Sequence, residues 1–266
     1  MPRPSPYRAI AVASTFSPRF EKVLGEAKRM RDRFAADLNL LYVGEKNDET
    51  TRKFSDALHS FELPAESKVH YLEGEPGVAI LSALKDKKLE LIIAGALEKQ
   101  VVLHPFLGDV ARRLVREAVC SVMLFTSPER EPKPLQRIVF VTDGSEFSRE
   151  ALQKVLHLAE QEKPERVYVV RVLTTFDAAR SADEPRSDAE EESEIEKFVL
   201  STGETKVPIE ARVIRGNTGF AAADFVNAVG ADLLVVPVPK TETKHELPAH
   251  FAWINEVIPC NLWVIR

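Results

Sequence analysis

The chain carries the same text twice, and that repeat constrains its fold more than any single motif. Ile10–Ser17 (IAVASTFS) returns as Ile138–Ser145 (IVFVTDGS), 128 positions on. Leu89–Ala94 (LELIIA) returns as Ala231–Val236 (ADLLVV) after 142 positions, and Ala118–Phe125 (AVCSVMLF) as Ile258–Ile265 (IPCNLWVI) after 140. Three blocks repeated in one order mark a duplicated unit. A length of 266 residues suits two domains of ordinary size. The expected domains are 1–128 and 135–266, joined by Ser127–Gln136 (SPEREPKPLQ), a stretch rich in proline and charge.

Within the first copy, near-continuous apolar runs at Ala9–Ala13, Leu38–Val43, Val69–Leu72, Leu91–Ala94 and Val122–Phe125 alternate with helical spacings such as Phe20, Val23, Leu24, Ala27 and Phe34. The second copy repeats the plan, with runs at Ile138–Val141, Val167–Leu173, Ile209–Ile214, Leu233–Val236 and Leu262–Ile265. Strands apolar on both faces, alternating with amphipathic helices, indicate parallel sheets covered on both sides. The expected fold is therefore α/β, with two tandem five-stranded parallel-sheet, doubly wound, nucleotide-binding-like domains. The largest length difference between the copies lies between strands two and three of the second, and it holds the acidic segment 183–196. Ser187 with Glu190 three residues on signals a capping box, and Ile195, Phe198 and Val199 share one face. The segment reads as a solvated crossover helix or, alternatively, as an acidic lid or docking surface.

Composition removes several function classes. A net charge of −5 leaves no electrostatic footprint for nucleic acid or an anionic membrane. Apolar runs such as Leu91–Leu97 fall far short of the roughly 20 residues a membrane span needs. The N-terminus enters a strand almost at once without a signal-peptide pattern, so the expected location is cytoplasmic. Cys120 and Cys260 occupy matched positions before the last strand of each copy and have no His or Cys at ligand spacing. They read as small buried hydrophobes, and no metal site is expected. Gly-x-Ser-x-Gly, the phosphate-loop pattern ending in Gly-Lys-Ser/Thr, and His-Glu-x-x-His are all absent, so no catalytic residues and no enzyme activity are expected.

In open α/β sheets, ligands bind beyond the carboxyl ends of the strands where the strand order reverses. There the second copy carries Asp143-Gly144-Ser145, and both copies close on a Cys-containing last strand, Arg116–Met123 (REAVCSVM) and Asn255–Val264 (NEVIPCNLWV). On these residues the chain resembles the universal stress protein family, over nearly its whole length. The resemblance implies an ATP site of known layout. An Asp after strand one and the residue ending strand two lie near the adenosine, and a loop of the form Gly-x2-Gly-x9-Gly-Ser/Thr wraps the phosphates. Glycines let backbone N–H groups approach an anion, and the next helix adds its positive end.

Carried over residue by residue, the match is split. In the first copy the Asp position is Ser14, Val43 fits the end of strand two, and Gly95 and Gly108 fit the loop. Glu98 replaces the second glycine, and Asp109 stands where Ser or Thr should be. Asp109 is expected to cap the free N–H groups of its helix and to repel a second anion. His104, in the loop 101–107, is expected to face the same pocket. In the second copy Asp143 and Val172 fit, but Pro237 replaces the first glycine and Pro248-Ala249 the Gly-Ser pair. Lys240, Lys244 and His245 offer only a looser, side-chain contact to an anion. Both sites are thus expected to be degenerate. The leading expectation is a non-enzymatic stress or signalling protein acting through contacts with a protein partner, and requiring no cofactor. The alternative is a module that binds ATP, AMP or another small metabolite in the first copy. The family's habit of pairing last strands further implies an internal pseudo-dimer through Val122–Phe125 and Leu262–Ile265, which a second chain would double into a homodimer.

Overall fold

The computed structural model describes residues 3–64, 67–96, 107–174, 186–216, 220–239 and 258–266. The chain divides into two compact units, an N-terminal one built on Ser5–Lys133 and a C-terminal one on Pro134–Pro239 and Leu247–Ile265. Arg3 and Pro4 group with the C-terminal unit, not with the expected first domain. The Arg3 guanidinium donates to Glu160 Oε1 at 3.0 Å and to the carbonyls of Thr202 at 3.2 Å and Glu204 at 3.0 Å.

In the N-terminal unit, β1 (Ala9–Ser14), α1 (Phe20–Phe34), β2 (Asp37–Val43), α2 (Asp48–Ser60), β3 (Lys68–Leu72), α3 (Pro76–Asp86), β4 (Leu91–Gly95), α4 (Asp109–Glu117) and β5 (Ser121–Phe125) follow in order. The strands are all parallel, ordered β3-β2-β1-β4-β5. Ile10 pairs with Leu38 on one side and Leu91 on the other, so the order reverses at β1 and opens a crevice at its carboxyl end. Ile10, Val12, Leu40, Ile92 and Ile93 are fully buried, which is why the strands read as unbroken apolar runs. α1 buries Phe20, Val23, Leu24, Ala27 and Phe34, the helical face expected from their spacing, and Met30 with them.

The first part of the expected linker is docked along α1. A Cβ on Gly25 would collide with the carbonyl oxygens of Glu129 and Arg130, so only glycine admits this close approach. Glu26 pins the same segment. It accepts from the Glu129 N–H at 3.4 Å and pairs with Arg29 at 2.8 Å, and Arg29 donates onward to the Lys133 carbonyl. Arg130 lies over the Phe61 ring at 5.0 Å and pairs with Glu21.

The C-terminal unit repeats the plan with β6 (Arg137–Val141), α5 (Glu146–Glu162), β7 (Arg166–Thr174), α6 (Asp188–Leu200), β8 (Ile209–Gly216), α7 (Ala221–Val229), β9 (Leu233–Pro237) and β10 (Asn261–Ile265). Its strands are parallel in the order β8-β7-β6-β9-β10. The capping box at α6 is present: the Ser187 hydroxyl accepts from the Glu190 N–H, and the Glu190 carboxylate accepts from the Ser187 N–H at 2.8 Å. No described helix is long and apolar enough to cross a membrane.

One helix-on-sheet contact is built differently in the two units. α2 buries Thr50, Phe54, Ala57 and Leu58, and Phe54 packs against Phe16, Tyr42 and Tyr71 with ring centroids 4.8–6.0 Å apart. Its counterpart α6 buries only Ile195, leaving Phe198 and Val199 half-buried. Residues 186–190 at the start of α6 are exposed, and carboxylates of the helix also reach arginines of the sheet. Glu191 pairs with Arg171 of β7, and Asp188 and Glu192 pair with Arg215 and Arg212 of β8.

Candidate functional site

The crevice of the N-terminal unit gathers the residues expected there. Ser14 ends β1, Val43 ends β2, Gly95 ends β4, and Gly108 and Asp109 open α4. All five line one cavity of about 500 Å³, floored by Phe20, Val23, Ile80 and Ala94. A volume in this range suits a small organic ligand. His104 and Glu98 lie outside the described residues.

The polar rim has an uneven inventory. Ser14 is buried and turns its hydroxyl back to the Val12 carbonyl at 3.3 Å, so the end of β1 offers no carboxylate to a ribose. The Gly108 N–H is already used, donating to the Ala96 carbonyl at 3.0 Å. Asp109 departs from expectation. Its side chain is 89% exposed, and its ion-pair contact is with Arg112 at 3.9 Å. Capping belongs to the residue before the helix, and here that residue is Gly108, which has no side chain to cap with. The first turn of α4 therefore keeps its backbone donors free of side-chain partners among the described residues, and Asp109, Val110 and Ala111 sit on the cavity wall. The Asp109 charge stands in solvent beside them and does not fill them.

At the matching place in the C-terminal unit, the turn after β6 bonds to itself. Asp143 Oδ1 accepts from the Ser145 N–H at 2.9 Å and from the Ser148 hydroxyl at 2.5 Å. Burial alone would raise this carboxyl, but the bonds from Ser145 and Ser148 outweigh it and hold Asp143 below its usual range. Ser145 caps α5 by accepting the Ser148 N–H at 3.2 Å, so the turn spends one carboxylate oxygen on its own geometry. Gly144 adopts φ +78°, and a Cβ there would meet Arg171 Nη2 at 2.7 Å. Arg171 is in turn held by Glu191 at 2.7 Å. The guanidinium thus packs against the turn that a ligand would have to reach, beside half-exposed Val172. Pro237 ends β9, while Lys240, Lys244, His245, Pro248 and Ala249 lie outside the described residues. Arg171 was not singled out from the sequence, although a signal exists: it precedes Val172 as Tyr42 precedes Val43, so an aromatic has become a cation at the matched position.

Neither cysteine is in a disulfide. Cys120 is buried, and burial pushes the Cys260 thiol up to about 12. The native protein is expected to resist alkylation at pH about 8 and to react at both thiols only when unfolded, as intact-mass measurement would read. Among the described residues no group of three His, Cys, Asp or Glu side chains stands ready for a metal ion.

Comparison with known proteins agrees with this architecture. The chain is 35% identical over 66 residues to Universal stress protein MJ0531 of Methanocaldococcus jannaschii, an alignment that spans 24% of this chain and 39% of that protein. Protein PA1789 of Pseudomonas aeruginosa PAO1 superposes with a TM-score of 0.73 at 14% identity, over 98% of this chain and 93% of its own. A universal stress protein from Archaeoglobus fulgidus superposes at 0.69 and 13% identity, over 97% and 98%. The profile of the universal stress protein family matches twice, over residues 6–126 and 134–247. With both halves matched and both sheets wound alike, the chain belongs to the universal stress protein family and carries two of its domains in tandem.

Proposed function

We propose that this stress protein is a cytoplasmic, non-enzymatic signalling protein whose N-terminal unit takes one small phosphate-bearing ligand, while its C-terminal unit takes none. The observation that carries this reading is the convergence of Ser14, Val43, Gly95, Gly108 and Asp109 on one cavity beside the uncapped start of α4. Free backbone donors at a helix N-terminus favour an anion, and the apolar floor favours a flat organic body beside it. ATP and AMP are the first ligands to test. With Ser14 in place of a carboxylate, the sugar would be held by less than in the family pattern, so phosphate contacts would dominate affinity.

Mass spectrometry of the denatured, freshly purified protein, with a thermal-shift panel of nucleotides, tests the reading. A saturating ligand should raise the melting temperature by about 5 °C. Gly95→Val should abolish the shift, because the added side chain enters the cavity toward Val23, whose Cγ2 stands 3.3 Å from the position of a new Cβ. No shift with any nucleotide at millimolar concentration would leave a protein that acts through contacts alone.

A further inference from the structure

The acidic helix α6 is held to its sheet by charge where α2 is held by aromatic packing, and the difference has a physical consequence. Asp188, Glu191 and Glu192 lie at spacings of three and four residues, so one helical face presents all three carboxylates. They meet Arg215 at 2.5 Å, Arg171 at 2.7 Å and Arg212 at 3.9 Å. The register sets Arg171 opposite Val213 and Leu173 opposite Arg215, which places Arg171 and Arg215 on the same face of the sheet. Arg212 falls on the other face of β8, the outermost strand of the unit, and its contact is correspondingly long.

Apolar anchoring is slight, because Ile195 is the only buried residue of the helix. Closure also leaves a defect: the Nε of Arg171 is buried without a hydrogen-bond partner. At the matched place in the N-terminal unit Tyr42 and Tyr71 pack on Phe54, contacts that salt does not screen. Of the three described ion pairs that join α6 to the sheet, two are substantially exposed and therefore are screened.

We infer that α6 is a cover poised to open with rising ionic strength, while α2 stays seated. Opening uncovers the seat of Ile195 on β7 and β8 and frees Arg171 from Glu191 beside the turn Asp143-Gly144-Ser145. The C-terminal unit would then respond to ionic conditions independently of any ligand in the N-terminal unit.

Hydrogen exchange on the full chain tests this in about 0.01 M and about 1 M KCl, which takes the screening length from about 30 Å to about 3 Å. The amides of α6 should exchange about tenfold faster at the higher salt, and those of α2 should change less than about twofold. Arg215→Gln should speed exchange of α6 at low salt and shrink its salt response, and Arg215→Lys should restore much of that response. Ile195→Ala should speed exchange at every salt concentration and leave the response intact. Indifference of α6 to salt, equal acceleration of α2, or an undiminished salt response in Arg215→Gln would each overturn the inference.

Discussion

Raising the pH from 4.5 to about 7 is expected to destabilise the N-terminal unit by about 3 kcal/mol through Glu26 alone. Glu26 is 4% exposed. Burial raises its carboxyl from 4.5 to about 7, overcoming the attraction of Arg29 and the bond from the Glu129 N–H. A folded value above the unfolded one means that the folded state binds the proton more tightly. The stabilising contribution is therefore complete below 4.5 and is lost as the pH climbs through about 7. Glu26→Gln keeps an acceptor for the Glu129 N–H but carries no titrating group, so its stability should stay level across the same window. Urea unfolding of both proteins at several pH values, followed in α1, would read the difference. A wild-type profile as flat as that of the variant would show that Glu26 is ionised at no cost. The effect bears on the docked segment after β5, because the same side chain ties that segment to α1.

Phe54→Ala is expected to cost about 3–5 kcal/mol, the usual range for emptying a buried aromatic site. Phe54 is 1% exposed, with ring centroids 4.8 Å from Phe16, 5.4 Å from Tyr42, 5.8 Å from Phe20 and 6.0 Å from Tyr71. Those partners come from the β1–α1 loop, β2, α1 and β3, so no single neighbour can move to close the hole. Phe20 also floors the cavity, and ligand binding should weaken along with stability. Phe54→Leu, which keeps much of the apolar volume, should lose markedly less. Denaturant unfolding would separate the two, and a loss below about 1 kcal/mol for alanine would show a loosely packed cluster.

The position of the cavity was legible because strand ends are legible. Apolar runs locate β1, β2 and β4, and a doubly wound order then forces Ser14, Val43 and Gly95 to the same edge. Gly108 and Asp109 follow, since the helix after β4 has to begin there. The direction of the Asp109 side chain was not legible. Its residue type suggested a cap, but a glycine occupies the capping position, and the carboxylate points to solvent. Arg171 was missed for a related reason: Glu191, the partner that gives it a role, stands 20 residues away on another element. The seating of Glu129 and Arg130 on Gly25 likewise depends on chain more than a hundred residues distant. Local pattern carries no information about which surface a proline-rich stretch will touch.

The duplicated text by itself determined two α/β units, the order of their elements and the ends of the strands where a site must lie. These follow from hydrophobic periodicity and the right-handed crossing of parallel strands, which depend on residue type and spacing alone. Tertiary structure alone decided that Arg171 packs against the turn after β6 while the matching crevice of the N-terminal unit holds a cavity, and that α2 is seated by aromatics while α6 is seated by charge. Those outcomes rest on distances between side chains far apart in sequence. A shift of an ångström or two there decides whether a polar group meets a partner or solvent.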